Sequence, residues 1–205
     1  MFGIRSSLRQ FTTALRALLV ATVVLGVAYP LLITGVSKVA LPGPAGGSLV
    51  RASNGAAADA PVGSALIGQS FTDADGNALL GYFQGRPSAV NYDATTSGGS
   101  NLGPENPDLA ADVSARIAAI AASDGVSPEQ VPADAVTASA SGLDPDISPE
   151  YAREQVARVA LARGIDPQAV RQLVDETTEG RMLGFLGEPT VNVLELNLAL
   201  DRMGG

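Results

Sequence analysis

The hydrophobic pattern changes character near residue 40. Ala17 to Val36 reads ALLVATVVLGVAYPLLITGV, twenty uncharged and mostly apolar positions with no polar face. At about 1.5 Å per residue this run covers roughly 30 Å, the thickness of a hydrocarbon core. A cleaved leader is the competing reading, but its apolar stretch is usually only about 7–15 residues. Lys38 also spoils the small-residue exit that cleavage after Ala40 would need. The pattern predicts a retained transmembrane helix over 17–36, behind a basic N-terminus over 1–16. Gly26 and Pro30 lie inside the run. They are expected to kink it, and Gly26 also lets another helix approach closely.

Residues 37–63 are rich in Gly, Pro, Ala and Ser and predict a linker. From Ser64 the period becomes two: apolar and polar positions alternate to Phe71, a turn follows over Asp73–Asn77, and Leu79–Gln84 reads as a second short strand. Further on, the period becomes helical. Asn106-Pro107, Ser148-Pro149 and Asp166-Pro167 each place a capping residue before a proline at the first helical position. The apolar faces that follow are Leu109, Val113, Ile117 and Ile120; Ala152, Val156, Val159 and Ala160, with Gly164 as the stop; and Val170, Leu173 and Val174. Asn192 with Glu195 resembles a capping box before a helix aligning Val193, Leu196, Leu200 and Met203. Ala135–Ser139 reads as a strand between the first two helices. Residues 64–205 therefore predict one small α+β domain with helices grouped on one face of a sheet.

Composition narrows the chemistry. The 205 residues include no Cys, His or Trp. That excludes zinc fingers, haem and iron–sulfur ligation, disulfides, and His-dependent nucleophile systems. Five basic residues and no acid lie in residues 1–58, whereas the chain from Ala52 onward holds 8 basic and 21 acidic residues, a net of −13. Such a body repels nucleic acid. The basic flank before the apolar run predicts a cytoplasmic N-terminus and an extracytoplasmic C-terminal domain.

Three segments are candidates for function. Tyr82–Ser88 (YFQGRPS) could present Gln84 and Arg86 to a partner or an anion, although the residues alone favour Tyr82 and Phe83 as core and Arg86 as surface. Ser97, Gly98, Gly99, Ser100 and Asn101 form a loop that could make an anion nest or simply reverse the chain. Thr137–Pro149 contains Asp144 and Asp146, a carboxylate pair for acid–base work or, more simply, acids serving the start of the next helix. Asp73, Asp75 and Asn77 begin like a calcium loop, but the twelfth position is Gln84 instead of Glu, so a turn is expected and no metal site. No catalytic residue is assigned.

The segments YFQGRPSA, SGGSNLGPENP, TASASGLDPDISPEYAREQVARVA and LGEPTVNVLELNLALD, in this order behind one membrane helix, closely resemble the C subunits of Kdp potassium-transporting P-type ATPases. The likeness runs from the apolar helix to Asp201. Members of that family often carry His where this chain has Asp146, Thr or Ser at Glu105, and Asn at Asp93. The resemblance implies a non-catalytic accessory subunit in the plasma membrane, with no cofactor of its own, since ATP and potassium are handled by the complex. It implies three partners: a potassium-translocating subunit, a P-type ATP-hydrolysing subunit and a small single-helix subunit. It implies two roles, assembly of the complex and a chaperone-like increase in ATP affinity, with the Ser97–Asn101 loop and Gln155 as the places for a nucleotide contact. The alternative is a membrane-anchored extracytoplasmic hydrolase using Asp144 and Asp146, or a binding module.

Overall fold

The structure, a computed structural model, describes residues 2–52 and 60–203, so residues 53–59 of the expected linker lie outside the described residues. The chain forms two compact units that divide between Ser48 and Leu49.

The first unit is helical: α1 (Phe2–Val23), a π-turn over Val24–Ala28, α2 (Tyr29–Ala40) and a single turn, α3 (Pro42–Ala45). Leu8–Ala40 is long and apolar enough to cross a membrane and extends past the expected 17–36 at both ends. Leu25, Leu31 and Leu32 are exposed within the chain, so lipid or another protein must cover them. Where a kink was expected at Gly26 and Pro30, the helix carries the π-turn over Val24–Ala28. Pro30 has no N–H to give to the carbonyl one turn earlier, and its ring crowds that carbonyl; one wider turn absorbs both problems.

The second unit is α+β. It begins with the antiparallel pair β1 (Leu49–Arg51) and β2 (Pro61–Ser64). A long stretch without regular structure leads to α4 (Pro107–Asp124), a short helix α5 (Ala133–Val136), β3 (Asp146–Ile147), α6 (Pro149–Arg163), α7 (Pro167–Thr177), β4 (Thr178–Glu179), β5 (Thr190–Asn192) and α8 (Val193–Met203). The strands form an antiparallel sheet in the order β3-β5-β4. Phe83, Ile147, Val156, Val159, Val170, Val174, Val191, Leu196 and Leu200 make its core.

The helix signals hold. The side chains of Asn106, Ser148 and Asp166 accept hydrogen bonds from the N–H of Asp108, Tyr151 and Gln168 at 2.8, 3.0 and 2.9 Å. Asn192 accepts from the Glu195 N–H at 3.1 Å. Gly164 ends α6 with φ 66°, a conformation that strains any residue with a Cβ. Met203, expected inward, is exposed in the last turn of α8.

The strand signals do not hold. Residues 66–71 and 79–84 join no ladder; only a single bridge between Thr72 and Ala78 closes the expected turn, with the Asp73 carboxylate accepting from Asp75 and Asn77 N–H. Ala135–Ser139, expected as a strand, starts inside α5. There Asp134 accepts from both the N–H and the hydroxyl of Ser148, at 2.7 and 3.0 Å. That contact favours a turn of helix over an extended run.

Candidate functional site

From a turn closed by the Tyr82 N–H on the Leu79 carbonyl, the segment Leu80–Gln84 leads inward from exposed Leu80 to fully buried Phe83, with no strand beside it. Buried backbone groups must still be satisfied, and side chains do it. Asn197 from α8 accepts the Phe83 N–H at 2.8 Å and donates to the Phe83 carbonyl at 3.0 Å. Gln155 from α6 treats Gln84 in the same way, at 2.7 and 3.1 Å. Arg158 donates to the carbonyls of Leu80 and Tyr82 at 2.7 and 3.0 Å, and Arg163 to that of Gly81 at 2.6 Å. Two carboxamides thus mimic the neighbouring strands of a sheet. Arg158 is held in turn by Asp124 at 2.9 Å, both side chains about 95% buried, and by the Gln155 side chain at 2.6 Å. Arg163 also lies over the Tyr82 ring, 4.4 Å from its centroid.

Gln155, expected at a ligand surface, is therefore fully buried with both amide atoms engaged inside the protein. It offers a nucleotide no surface. Gln84 is half-buried, and its amide donates to the carbonyls of Phe71, Leu79 and Tyr82. The nearby sequence signal was a polar residue on an apolar helical face: Asn197 shares the inward stripe of Val193 and Leu200, and Gln155 and Arg158 that of Ala152 and Val159. Asn197, Arg158 and Arg163 were not singled out from sequence.

The other candidate segments meet in one layer of loops. Arg86 donates to Asp144 at 3.0 Å and to the Thr137 carbonyl at 3.3 Å, while its buried Nε has no partner among the described residues. Ser88 donates to the Gly142 carbonyl at 2.6 Å and accepts from the N–H of Val90 and Tyr92, which fixes a turn where Asn91 and Tyr92 hold φ near 50–60°. The Tyr92 hydroxyl reaches the Arg86 carbonyl at 2.5 Å; burial, then the Asp144 charge, pushes that phenol up to about 12. In the Ser97–Asn101 loop, Gly98 N–H and the Ser97 hydroxyl both donate to the Ser141 carbonyl. Gly142 has φ 67°, and a Cβ there would stand 2.7 Å from the Gly98 carbonyl oxygen. The glycine-rich loop is thus docked on residues 139–142. Gln84 and Arg86 line a cleft of about 510 Å³ with Gln69, Ser70, Ser88 and Tyr92, which brings these two expected residues together; Gln155 and the 97–101 loop do not line it.

Asp144 and Asp146 do not serve the start of α6. Asp144 accepts from Arg86 and from the Asp146 N–H; Asp146 accepts from the Asn192 amide at 3.2 Å, tying β3 to β5. Burial, with Asp144 next, raises the Asp146 pKa. Beside Asp124 and Arg158, both side-chain oxygens of Glu154 are buried with no donor among the described residues. Burial, then the charge of Asp124, raises its pKa to about 7. Among the described residues no three acidic side chains gather in a way that would hold a metal ion.

Much of this geometry rests on the four segments singled out from sequence, and the chain as a whole is similar to known proteins. The family model for the K+-transporting ATPase c chain, KdpC, matches residues 11–202. A potassium-transporting ATPase KdpC subunit from Kineococcus radiotolerans is 56% identical over 195 residues, 94% of this chain and 93% of that one. Proteins of the same name from Polaromonas naphthalenivorans and Herpetosiphon aurantiacus are 51% and 50% identical, over 93% and 94% of this chain and 93% and 96% of theirs.

Proposed function

Because the chain belongs to the family of K+-transporting ATPase c chains, we propose that it is a non-catalytic accessory subunit that assembles and stabilises the transport complex. The observation that supports this reading is how the reactive polar groups are used. Gln155, Arg158, Asn197, Arg163 and Asp144 hold the protein's own backbone and loops in place. A rigid surface built in this way suits recognition of a partner better than bond breaking, which needs a base and an orienting group free to act.

In this reading the apolar helix packs on the potassium-translocating subunit, and the ATP-hydrolysing and small single-helix subunits complete the complex. The positive flank sets the N-terminus on the cytoplasmic side, which puts the acidic domain outside. Its net −13 raises the local cation concentration near the ion entrance, within about 8 Å at physiological salt. A gain in ATP affinity then comes through assembly of the membrane subunits, not through contact with nucleotide.

Purified complex made with and without the full-length chain tests this. Without it, the yield of assembled complex and the potassium-stimulated ATPase rate should both fall severalfold, and adding the chain back should restore them. Complex carrying Asp108→Asn and Asp112→Asn should show a raised apparent KM for potassium at low ionic strength only. Equal yield and equal rate in the absence of the chain would remove the reading; an unchanged KM would remove its electrostatic part.

A further inference from the structure

Between β4 and β5 the chain folds into a small hairpin. Met182 N–H donates to the Leu186 carbonyl and Leu186 N–H to that of Met182, both at 2.9 Å. At its tip, Met182, Leu183 and Phe185 are 71%, 78% and 69% exposed, and Leu186 is also exposed. The four side chains are contiguous in sequence around Gly184. Nothing among the described residues covers them. Leu183 also holds φ 55°, followed by Gly184 at 82°. A leucine in the left-handed region is strained, and here no packing offsets it. Strain and apolar exposure meet at one protruding point, anchored at its base by the Arg181–Glu188 ion pair.

We propose that this tip is a docking plug that inserts into a concave apolar pocket on another protein subunit of the ATPase complex. The inference rests on the accessory-subunit reading above. Three observations choose the occupant. The exposed apolar area is on the order of 500 Å², so two tips meeting would bury on the order of 1,000 Å², below the ~1,200–2,000 Å² of a stable interface. A second copy is therefore a poor fit. A bilayer surface is a poor fit too: the chain from Ala52 onward carries −13, and anionic lipid repels it. The anchor holds any neighbour in the same membrane at high effective concentration, so shape decides: two exposed tips cannot enclose each other, whereas a partner subunit with a pocket can enclose one. A convex tip asks for a concave receptor.

The test uses the full chain in cells that also make the other subunits. A photo-crosslinking amino acid at position 183 or 185 should crosslink to an ATPase subunit identified by mass spectrometry, whereas the same group at exposed Glu129 should not. Leu183→Asn combined with Phe185→Ser should lower co-purification of the other subunits at least fivefold. Leu183→Asn alone should leave the Tm unchanged or raise it, since Asn tolerates this backbone conformation well; a purely structural tip would give a lower Tm instead. Crosslinks only to lipid or to a second copy, or no crosslink above that of position 129, would overturn the plug. So would normal co-purification of the double variant. If the unmodified chain itself fails to co-purify the other subunits, the accessory-subunit reading falls with it.

Discussion

The two halves of the domain beyond Leu49 solve the same problem by opposite means. From Pro107 onward, most backbone groups are satisfied by regular structure: helices opened by Asn106, Ser148 and Asp166, and a sheet whose strands are two or three residues long. From Ala65 to Asn106 almost no regular structure forms, yet Phe83 is fully buried. There the backbone is satisfied at a distance by Asn197, Gln155, Arg158 and Arg163, which lie 71–114 positions later for the bonds of Phe83 and Gln84. The first half could form its caps alone. The second has local turns at Asp73 and Ser88, but its buried backbone at Phe83 and Gln84 depends on the helices, so its cost of ordering is met by groups that must themselves be buried.

The comparison breaks most sharply at Arg158. Arg158→Met leaves Asp124 buried without its guanidinium and the Leu80 and Tyr82 carbonyls without a donor. Removing one partner of a buried pair costs about 3–5 kcal/mol. Urea denaturation of the detergent-solubilised full chain, followed by circular dichroism, should show that loss, and amide exchange should open residues 80–84 before α7. A loss confined to α6 would contradict the division drawn here.

An intermediate effect is expected at Glu154, beside the same Asp124. Its folded-state pKa is raised from 4.5 to about 7, so the folded chain binds the proton more tightly than the unfolded one. Stability is then fullest below the unfolded value near 4.5 and declines as pH rises towards 7. Glu154→Gln keeps the neutral shape without the titration. It should raise the Tm at pH 8, change little at pH 4.5 and flatten the slope between. A wild-type Tm that does not fall over this window would dispose of the assignment.

The smallest effect belongs to the locally determined half. Ser148→Ala removes the cap on Tyr151 N–H and the hydroxyl's bond to Asp134. A lost cap costs about 1 kcal/mol. The change should appear in the unfolding midpoint while residues 80–84 keep their exchange protection relative to the rest of the domain. Selective loss of protection at 80–84 would erase the contrast with Arg158→Met.

These differences explain what could be read from residues alone. The apolar run, the capped helices and the Gly164 stop were legible because each depends on neighbours within about one helical turn, or on hydrophobic length. Family kinship was legible because four long segments recur in order. The expected strands at 66–71 and 79–84 were misplaced for a physical reason: alternation marks which side chains face inward, and it does not show that residues 79–82 turn or that carboxamide side chains, not a strand, complete the hydrogen bonds of Phe83 and Gln84. The strands of the three-stranded sheet, β3, β4 and β5, are too short to show any period. Gln155 was singled out for a ligand because a glutamine in a helix looks the same whether it faces solvent or a backbone 71 positions away.

The sequence by itself determined the long apolar helix, the acidic body, the starts of α4, α6 and α7 and the family, since hydrophobic length, net charge and capping act locally or as sums over the chain. Only the tertiary structure decided that Asn197, Gln155 and Arg158 hold Leu80–Gln84, that Arg86 meets Asp144, and that the Met182–Leu186 tip stands uncovered. Those facts depend on which distant groups meet once water is excluded, and no local pattern encodes a meeting of that kind.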